Sequence, residues 1–217
     1  MAPTVWCIVV AAGSGTRFDP VRLKQHETLG DARVQDVAMD AARSVASGVV
    51  LVTLPEFAGD PDPRADVVVA GGATRSASVR CGLAAVPDGC DIVVVHDGAR
   101  PVAGAPLFEA VVAAVAAGAD AAVPGVAVAD TIKRVEDGHV VETVPRDDLV
   151  AVQTPQAFRS EALRAAHATG GEASDDAALV EAAGGLVVVV PGDPDNLKIT
   201  TKADLSLAWT RLQRARA

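Results

Sequence analysis

The sequence predicts an α/β protein built on a mostly parallel sheet flanked by helices, and three observations carry that expectation. A continuous apolar run from Val5 to Val10 reads as a buried strand, and it empties into a small-residue turn, Ala11-Ala12-Gly13-Ser14-Gly15-Thr16-Arg17. The passage from strand through glycine to helix recurs where Asp66 to Ala70 runs into Gly71-Gly72-Ala73-Thr74-Arg75-Ser76-Ala77-Ser78. Strand-length apolar runs then keep alternating with helix-length segments, which implies parallel pairing through right-handed crossovers.

Taken in order, Val34 to Val45 carries apolar residues at helical spacing, and Ser47-Gly48 ends it ahead of a strand from Val49 to Leu54. Pro55 to Arg64 is rich in proline and acid and reads as a loop; the helix after Gly71-Gly72 extends to about Val86. Ile92 to Val95 is a fourth strand, opening into His96-Asp97-Gly98-Ala99-Arg100-Pro101, and Leu107 to Ala117 is helical. After Ala121 to Val126 the period changes. Asp130 to Val135 and Val140 to Val144 alternate polar and apolar about Glu136-Asp137-Gly138-His139, a hairpin with an Asp-Gly turn. An isolated hairpin is marginal in water, so this one is expected to pack on a second subunit.

The chain returns through Pro145-Arg146-Asp147 to Val150 to Phe158, with a helix from Glu161 to Ala168 broken by Thr169-Gly170-Gly171. Ser174 with Asp175-Asp176 is expected to start another helix, to Ala183, with acids well placed in its first turn. Leu186 to Val190 is a last core strand. Lys198, between Leu197 and Ile199, is expected in a short strand, and Thr201 with Asp204 forms a capping-box start to the final helix. No repeat, low-complexity tract or linker divides 1–217, which reads as one domain with an arm at about 128–148.

Composition narrows the partners. At 217 residues and 50% apolar content the chain can bury a large sheet, and no run approaches the roughly 20 residues of a membrane span. With no signal-peptide pattern at the start, the chain is expected to be cytoplasmic. The three cysteines, Cys7, Cys81 and Cys90, lack metal-ligand spacing and suit a reducing compartment. A net charge of -9 excludes a nucleic-acid footprint, so any phosphate site must be a local island of cations. With only 3% aromatics, a base would be read by backbone and small side chains.

The opening turn suits phosphate. Glycines at 13 and 15 let successive N–H groups face one concavity, and Arg17 and Lys24 add full charges. It is neither a dinucleotide fingerprint, since Phe18 stands where the third glycine belongs, nor a P-loop, since Phe18-Asp19-Pro20 replaces Gly-Lys-Ser/Thr. Ligands of an open parallel sheet sit beyond the strands' carboxyl ends, and three such ends pair glycine with a cation: Gly13/Arg17, Gly72/Arg75 and Gly98/Arg100. Their convergence points to a nucleotide pocket. Asp97, at a strand end, can meet Mg²⁺, which takes one or two carboxylates plus phosphate oxygens. Lys198 is a third cation able to reach that edge. His96 is given no catalytic role, and His26, His139 and His167 have no evident partners.

Ala11-Ala12-Gly13-Ser14-Gly15-Thr16-Arg17 with Lys24-Gln25, His96 to Pro101, Asp130 to Lys133, Arg146 with Gln153-Thr154-Pro155-Gln156-Ala157-Phe158, and Asp195 to Thr200 resemble the 2-C-methyl-D-erythritol 4-phosphate cytidylyltransferase family over nearly the whole chain. The resemblance implies a Rossmann-like nucleotidyltransferase fold, a homodimer joined by the β-hairpin arm, and a Mg²⁺-dependent reaction of CTP with methylerythritol 4-phosphate. It further implies that Ala11, Ala12 and Gly13 with Arg17 and Lys24 hold the triphosphate and stabilise the transition state. Gly72, Ala73 and Ser78, with Gly98, would surround the nucleotide, Asp97 would bind the metal, and Lys198 would contact the α-phosphate. Arg100, Thr131 and Ser174 would hold the acceptor, together with Arg146 and Thr154 reaching over from the partner subunit. Ser174 stands where the family often has Thr, and Leu23 where it usually has Pro. A ribitol 5-phosphate cytidylyltransferase, a sugar 1-phosphate nucleotidyltransferase and a CTP-binding homologue without catalysis are the rival readings.

Overall fold

A computed structural model of the chain describes residues 2–13, 18 and 23–215, so Arg17 of the opening turn lies outside the described residues. In chain order it contains β1 (Val5–Val10), the two-residue strands β2 (Thr28–Leu29) and β3 (Ala32–Arg33), α1 (Val34–Ala42), β4 (Gly48–Thr53), β5 (Val67–Ala70), α2 (Arg75–Ala85) and β6 (Ile92–Asp97). There follow α3 (Ala105–Ala116), β7 (Ala121–Ala127), the hairpin β8 (Ile132–Glu136) and β9 (His139–Val144), β10 (Val150–Val152), β11 (Gln156–Arg159), α4 (Ser160–Ala168), α5 (Asp176–Ala182), β12 (Val187–Pro191) and α6 (Lys202–Ala215).

The parallel core runs β5, β4, β1, β6, with β1 flanked by β4 on one side and β6 on the other. Chain direction along the sheet therefore reverses between β1 and β6, and a ligand crevice is expected at that switch point. β11 departs from the parallel expectation: it lies antiparallel between β6 and β7, while β12 pairs with β7 in parallel. The segment expected to return as one stretch from Val150 to Phe158 is divided into β10 and β11 by Gln153-Thr154-Pro155, and both parts pair antiparallel with β7.

Alternation along β1 builds two cores. Val5, Cys7 and Val9 pack with Met39 of α1 and Phe108, Val111 and Val115 of α3. Ile8 faces the other way, onto Val79 and Leu83 of α2, Leu163 of α4 and Val180 of α5. Burial on both faces makes the strand read as a continuous apolar run, as parallel strands do. At roughly 1.5–3 kcal/mol per fully buried aliphatic side chain, β1, β4 and β6 leave little tolerance for polar substitution.

A third cluster lies at the carboxyl edge and was not legible from periodicity. Phe18, Leu29, Val34, Ile199 and Ala208 are buried together, with Leu205, Trp209 and Leu212 of α6 against them. Four separate stretches of chain meet there. α6 itself starts as expected, with Asp204 Oδ2 accepting from the Thr201 N–H and the Asp204 N–H reaching Thr201 Oγ1.

Several boundaries differ from the sequence reading. α1 stops at Ala42 rather than Val45 because the Ser44 and Val45 N–H groups bond three residues back, and Ser44 Oγ also donates to the Ala41 carbonyl. α5 is capped by Asp175, whose carboxylate accepts from the Ala178 N–H at 3.0 Å, and not by Ser174. The short strand expected around Lys198 is absent; that stretch is held instead by the Ile199 N–H on the Ala99 carbonyl at 2.8 Å. The hairpin turn is as expected, with Asp137 and Gly138 at φ 47° and 78°.

Gly30 makes the third cluster possible. Its φ is +68°, and a Cβ there would lie 2.4 Å from the Trp209 ring. Gly30→Ala is expected to cost about 2–4 kcal/mol, the sum of the left-handed conformation and the overlap. Urea unfolding should show the midpoint falling with the slope unchanged, and an unshifted midpoint would show that the β2–β3 turn does not support α6.

Candidate active site

The carboxyl ends of β1, β5 and β6 open onto a cavity of about 470 Å³ whose wall includes Ala11, Ala12 and Gly13, Lys24, Gly72, Ala73, Arg75, Ser78, Asp97 and Lys198. Its glycine-loop side is fixed by a buried amide: Gln25 Nε2 donates to the Ala11 carbonyl at 2.8 Å and to the Gly13 carbonyl at 3.2 Å. Gln25 is 2% exposed and sits in a single 3-10 turn, Lys24–His26, so Lys24 is anchored at the same point. The Lys24 ammonium donates to the Ile199 carbonyl at 2.8 Å. Gly13 does not use the special backbone conformation expected of it: its φ is ordinary, and a Cβ there would meet nothing within 4 Å. What glycine provides at 13 is room.

The opposite side is organised by Asp97, the last residue of β6. Lys198 Nζ lies 2.7 Å from its Oδ2, Arg100 Nε 3.6 Å from the same oxygen, and Arg75 Nε 3.7 Å from Oδ1. Burial alone would raise its pKa, but Lys198, Arg75 and Arg100 outweigh that and hold the carboxyl well below the usual carboxylate range. The group is therefore a fixed anion amid three cations, which leaves local positive charge for phosphate. Among the described residues no donor lies within hydrogen-bond distance of Oδ1, so it retains acceptor capacity for a hard cation.

Behind Asp97 lies a hydrogen-bonded polar lattice. The Asp97 N–H donates to Thr154 Oγ1 at 3.0 Å, and that hydroxyl meets His96 Nδ1 at 3.1 Å. His96 Nε2 lies 3.2 Å from the Arg100 carbonyl, which can only accept, so Nε2 is the donor and Nδ1 accepts from Thr154. The imidazole is fully buried, and burial pushes its pKa down to about 4. Neutral His96 with both nitrogens bonded fits the structural role that the sequence reading left to it. Asn196 Nδ2 donates to the Thr154 carbonyl at 2.9 Å, and Arg100 Nη1 to the Asn196 carbonyl at 2.8 Å, locking the loop after β12 to the loop after β6.

Of the expected site residues, Lys24, Lys198, Asp97, Ala11, Ala12, Gly13, Gly72, Ala73 and Ser78 share one cavity. Ser78 shapes it, accepting from the Gly72 N–H at 3.2 Å and donating to the Thr74 carbonyl at 2.8 Å. Gly98 lies just off the wall, buried, with its N–H on the Val10 carbonyl at 2.9 Å. Thr154 departs from expectation: its hydroxyl is turned into its own chain to hold Asp97 and His96, and is not presented to an acceptor. Arg100 is likewise spent on Asp97 and Asn196 and does not line the cavity. Thr131, Arg146 and Ser174 are exposed and outside the cavity wall, with Arg146 donating to the Ala129 carbonyl at the base of the arm. His167, expected to lack a partner, bonds Asp176 at 3.0 Å. Arg75, one of the three glycine-paired cations at the strand ends, lines the cavity, and its carboxylate partners Asp97 and Asp176 are remote from it in sequence.

A glycine-bearing strand end facing an ionised carboxylate and converging lysines, at the switch point of a parallel sheet, defines a nucleotidyltransferase-type site. The family model for 2-C-methyl-D-erythritol 4-phosphate cytidylyltransferase (IspD) matches residues 5–214, and the chain belongs to that family. It is 44% identical to the enzyme of that name from Frankia casuarinae, across 98% of this chain and 83% of the relative. To the bifunctional enzyme IspD/IspF of Nitratidesulfovibrio vulgaris it is 39% identical across 93% of this chain, and it spans about half, 56%, of that longer relative. The crystal structure of the Thermus thermophilus cytidylyltransferase superposes with a TM-score of 0.81 at 36% identity, covering 99% of this chain and 100% of that one.

Because His96 has its pKa lowered on folding, the unfolded chain binds its proton first as pH falls below about 6.5. Stability is therefore expected to be full above that pH and to fall on acidification toward pH 4, by on the order of 3 kcal/mol from this group. His26, also shifted down, adds a loss of the same sign. Urea titrations at pH 7, 5.5 and 4.5 check this; His96→Gln should flatten the profile, and an unchanged profile would remove His96 as its source.

Proposed function

We propose that this chain transfers the cytidylyl group of CTP to 2-C-methyl-D-erythritol 4-phosphate, giving 4-diphosphocytidyl-2-C-methyl-D-erythritol and pyrophosphate. The observation that carries the reading is the 2.7 Å contact of Lys198 with Asp97 on the wall that also holds the Ala11-Ala12-Gly13 loop and Lys24. The family of the chain and the names of its relatives support CTP and methylerythritol phosphate over the ribitol 5-phosphate alternative.

In this reading an oxygen of the acceptor's phosphate forms a bond to the α-phosphorus of CTP. The bond from that phosphorus to the bridging β-phosphate oxygen breaks, and pyrophosphate leaves with its electron pair. The attacking oxygen is already ionised at neutral pH, so no general base is required. That agrees with a buried, neutral His96 whose ring nitrogens are both occupied. The chain's work is to bring two polyanions together and align them. Lys24, placed by the Gln25 turn, and Lys198, placed by the third core cluster, neutralise charge that builds on the α-phosphoryl oxygens. Arg17 is assigned to the same group of cations.

Mg²⁺ is proposed to enter with the triphosphate, where it would screen the phosphate oxygens and polarise the α-phosphoryl group. Asp97 is the residue that would hold it. No group of three or more His, Cys, Asp or Glu among the described residues could cage a metal, which suits an ion whose remaining ligands are phosphate and water. The hairpin arm displays Val135, Val140 and Val141 at 54%, 61% and 51% exposure, an apolar surface suited to a second copy of the chain. A homodimer formed there would carry the exposed Arg146 and Thr131 toward the partner's acceptor site. Among the described residues no helix is long and apolar enough to cross a membrane, and three free thiols suit the cytoplasm proposed for it.

Pyrophosphate release with CTP and each acceptor tests the reaction: methylerythritol phosphate should turn over, and activity with ribitol 5-phosphate alone would reverse the assignment. Lys198→Ala is expected to lower kcat about 10²–10³-fold, the effect of removing one preorganised electrostatic contact. Wild-type kcat in that variant would show that the ammonium is not at the reacting phosphate. Sedimentation should give a dimer that Val140→Asp converts to monomer, and a monomeric wild type would overturn the role given to the arm.

A further inference from the structure

Among the described residues Asp176 is the most deeply buried carboxylate, and the proposed chemistry does not use its charge. It is 0% exposed, in the first turn of α5. Burying an ion there is costly unless it is paired, and it has two partners drawn from two other helices. Its Oδ2 accepts from Arg75 Nη1 at 2.7 Å, and its Oδ1 from His167 Nε2 at 3.0 Å. A carboxylate has no proton to give, so Nε2 is the donor, while His167 Nδ1 is buried with no hydrogen-bond partner among the described residues. His167 therefore has one polar task, which is to hold Asp176.

Arg75 opens α2 directly after the Gly72-Ala73-Thr74 loop, lines the cavity and keeps 24% of its side chain exposed. Its Nη1 is taken by Asp176 and its Nε faces Asp97 at 3.7 Å. Two carboxylates from well-separated parts of the chain, Asp97 and Asp176, thus set the plane of one guanidinium. The Nη2 edge makes no hydrogen bond to any described residue, so donors remain for a ligand. A lysine could not be held in this way, because a point charge has no plane to fix.

We infer that Asp176 is a positioning residue of this site: supported by His167, it fixes the Arg75 guanidinium so that its remaining N–H edge meets the nucleotide bound in the cavity. The inference deepens the cytidylyltransferase reading and rests on it for the identity of the nucleotide. The chain of contacts runs from α4 through α5 and α2 to the end of β6, so helices packed on one face of the sheet reach the nucleotide cavity.

Steady-state kinetics with each substrate varied tests it, alongside thermal unfolding. Asp176→Asn is expected to raise KM for CTP about tenfold, the worth of one charge-assisted hydrogen bond, with KM for the acceptor phosphate unchanged. Arg75→Ala should match it, and the double variant should be no worse than Arg75→Ala alone, because both act through one group. Additive losses, or a wild-type KM for CTP in Asp176→Asn, would overturn the inference. Should Asp176→Asn fail to fold, His167→Gln and His167→Leu serve: the first keeps a donor and should retain the wild-type KM, the second should raise it, and equal values would overturn the inference. If wild-type enzyme shows no turnover with CTP, calorimetric titration with the four triphosphates identifies the nucleotide that binds. The same variants are then read against its Kd, which separates failure of this inference from failure of the cytidylyltransferase reading.

Discussion

A carboxylate under the surface of a protein stays ionised only if cations are fixed beside it, and this architecture is arranged around one such group. Asp97 ends the strand next to β1 and is met by Lys198, Arg100 and Arg75, each from a different stretch of chain. The start of α2, the loop after β6 and the stretch before α6 are thereby tied to the end of β6. The arrangement carries more positive than negative charge and is already desolvated in part, so a polyphosphate would enter a field that the fold has organised beforehand.

What brings those stretches together is apolar. The third core cluster joins Phe18 of the opening turn, Leu29 of β2, Ile199 beside Lys198, and α6. Hydrophobic burial is non-directional and sets proximity, and single hydrogen bonds then set orientation: Gln25 on the glycine loop, Ile199 on Ala99, Asn196 on Thr154. This division explains how the segment after Lys24 keeps Lys24 at the cavity. Leu29 and Val34 supply buried surface, and the intervening charges point elsewhere, as in the Arg33 contacts with Asp36 and Asp62.

Polar groups near the site divide into those that face the cavity and those that hold others in place. Thr154, His96, Arg100 and Asn196 belong to the second kind, although two of them carry side chains that chemistry would readily use. Residue type alone does not separate the two kinds. A threonine hydroxyl 3.0 Å from a backbone N–H and 3.1 Å from an imidazole is committed, and only coordinates reveal the commitment.

The sequence by itself determined the parallel core of β1, β4, β5 and β6 with its intervening helices, the Asp-Gly hairpin and the set of loops that meet at the strand ends. These follow from local periodicity, from glycine and proline, and from the rule that parallel strands expose their loops at one edge. The pairing of Lys198 with Asp97, the inward turn of Thr154, the loss of the short strand at 197–199 and the partnership of Arg75 with Asp176 were decided by tertiary structure alone. Each depends on the direction of a side chain across tens of residues of separation. That direction is fixed by packing, for which one sequence contains no periodic signal.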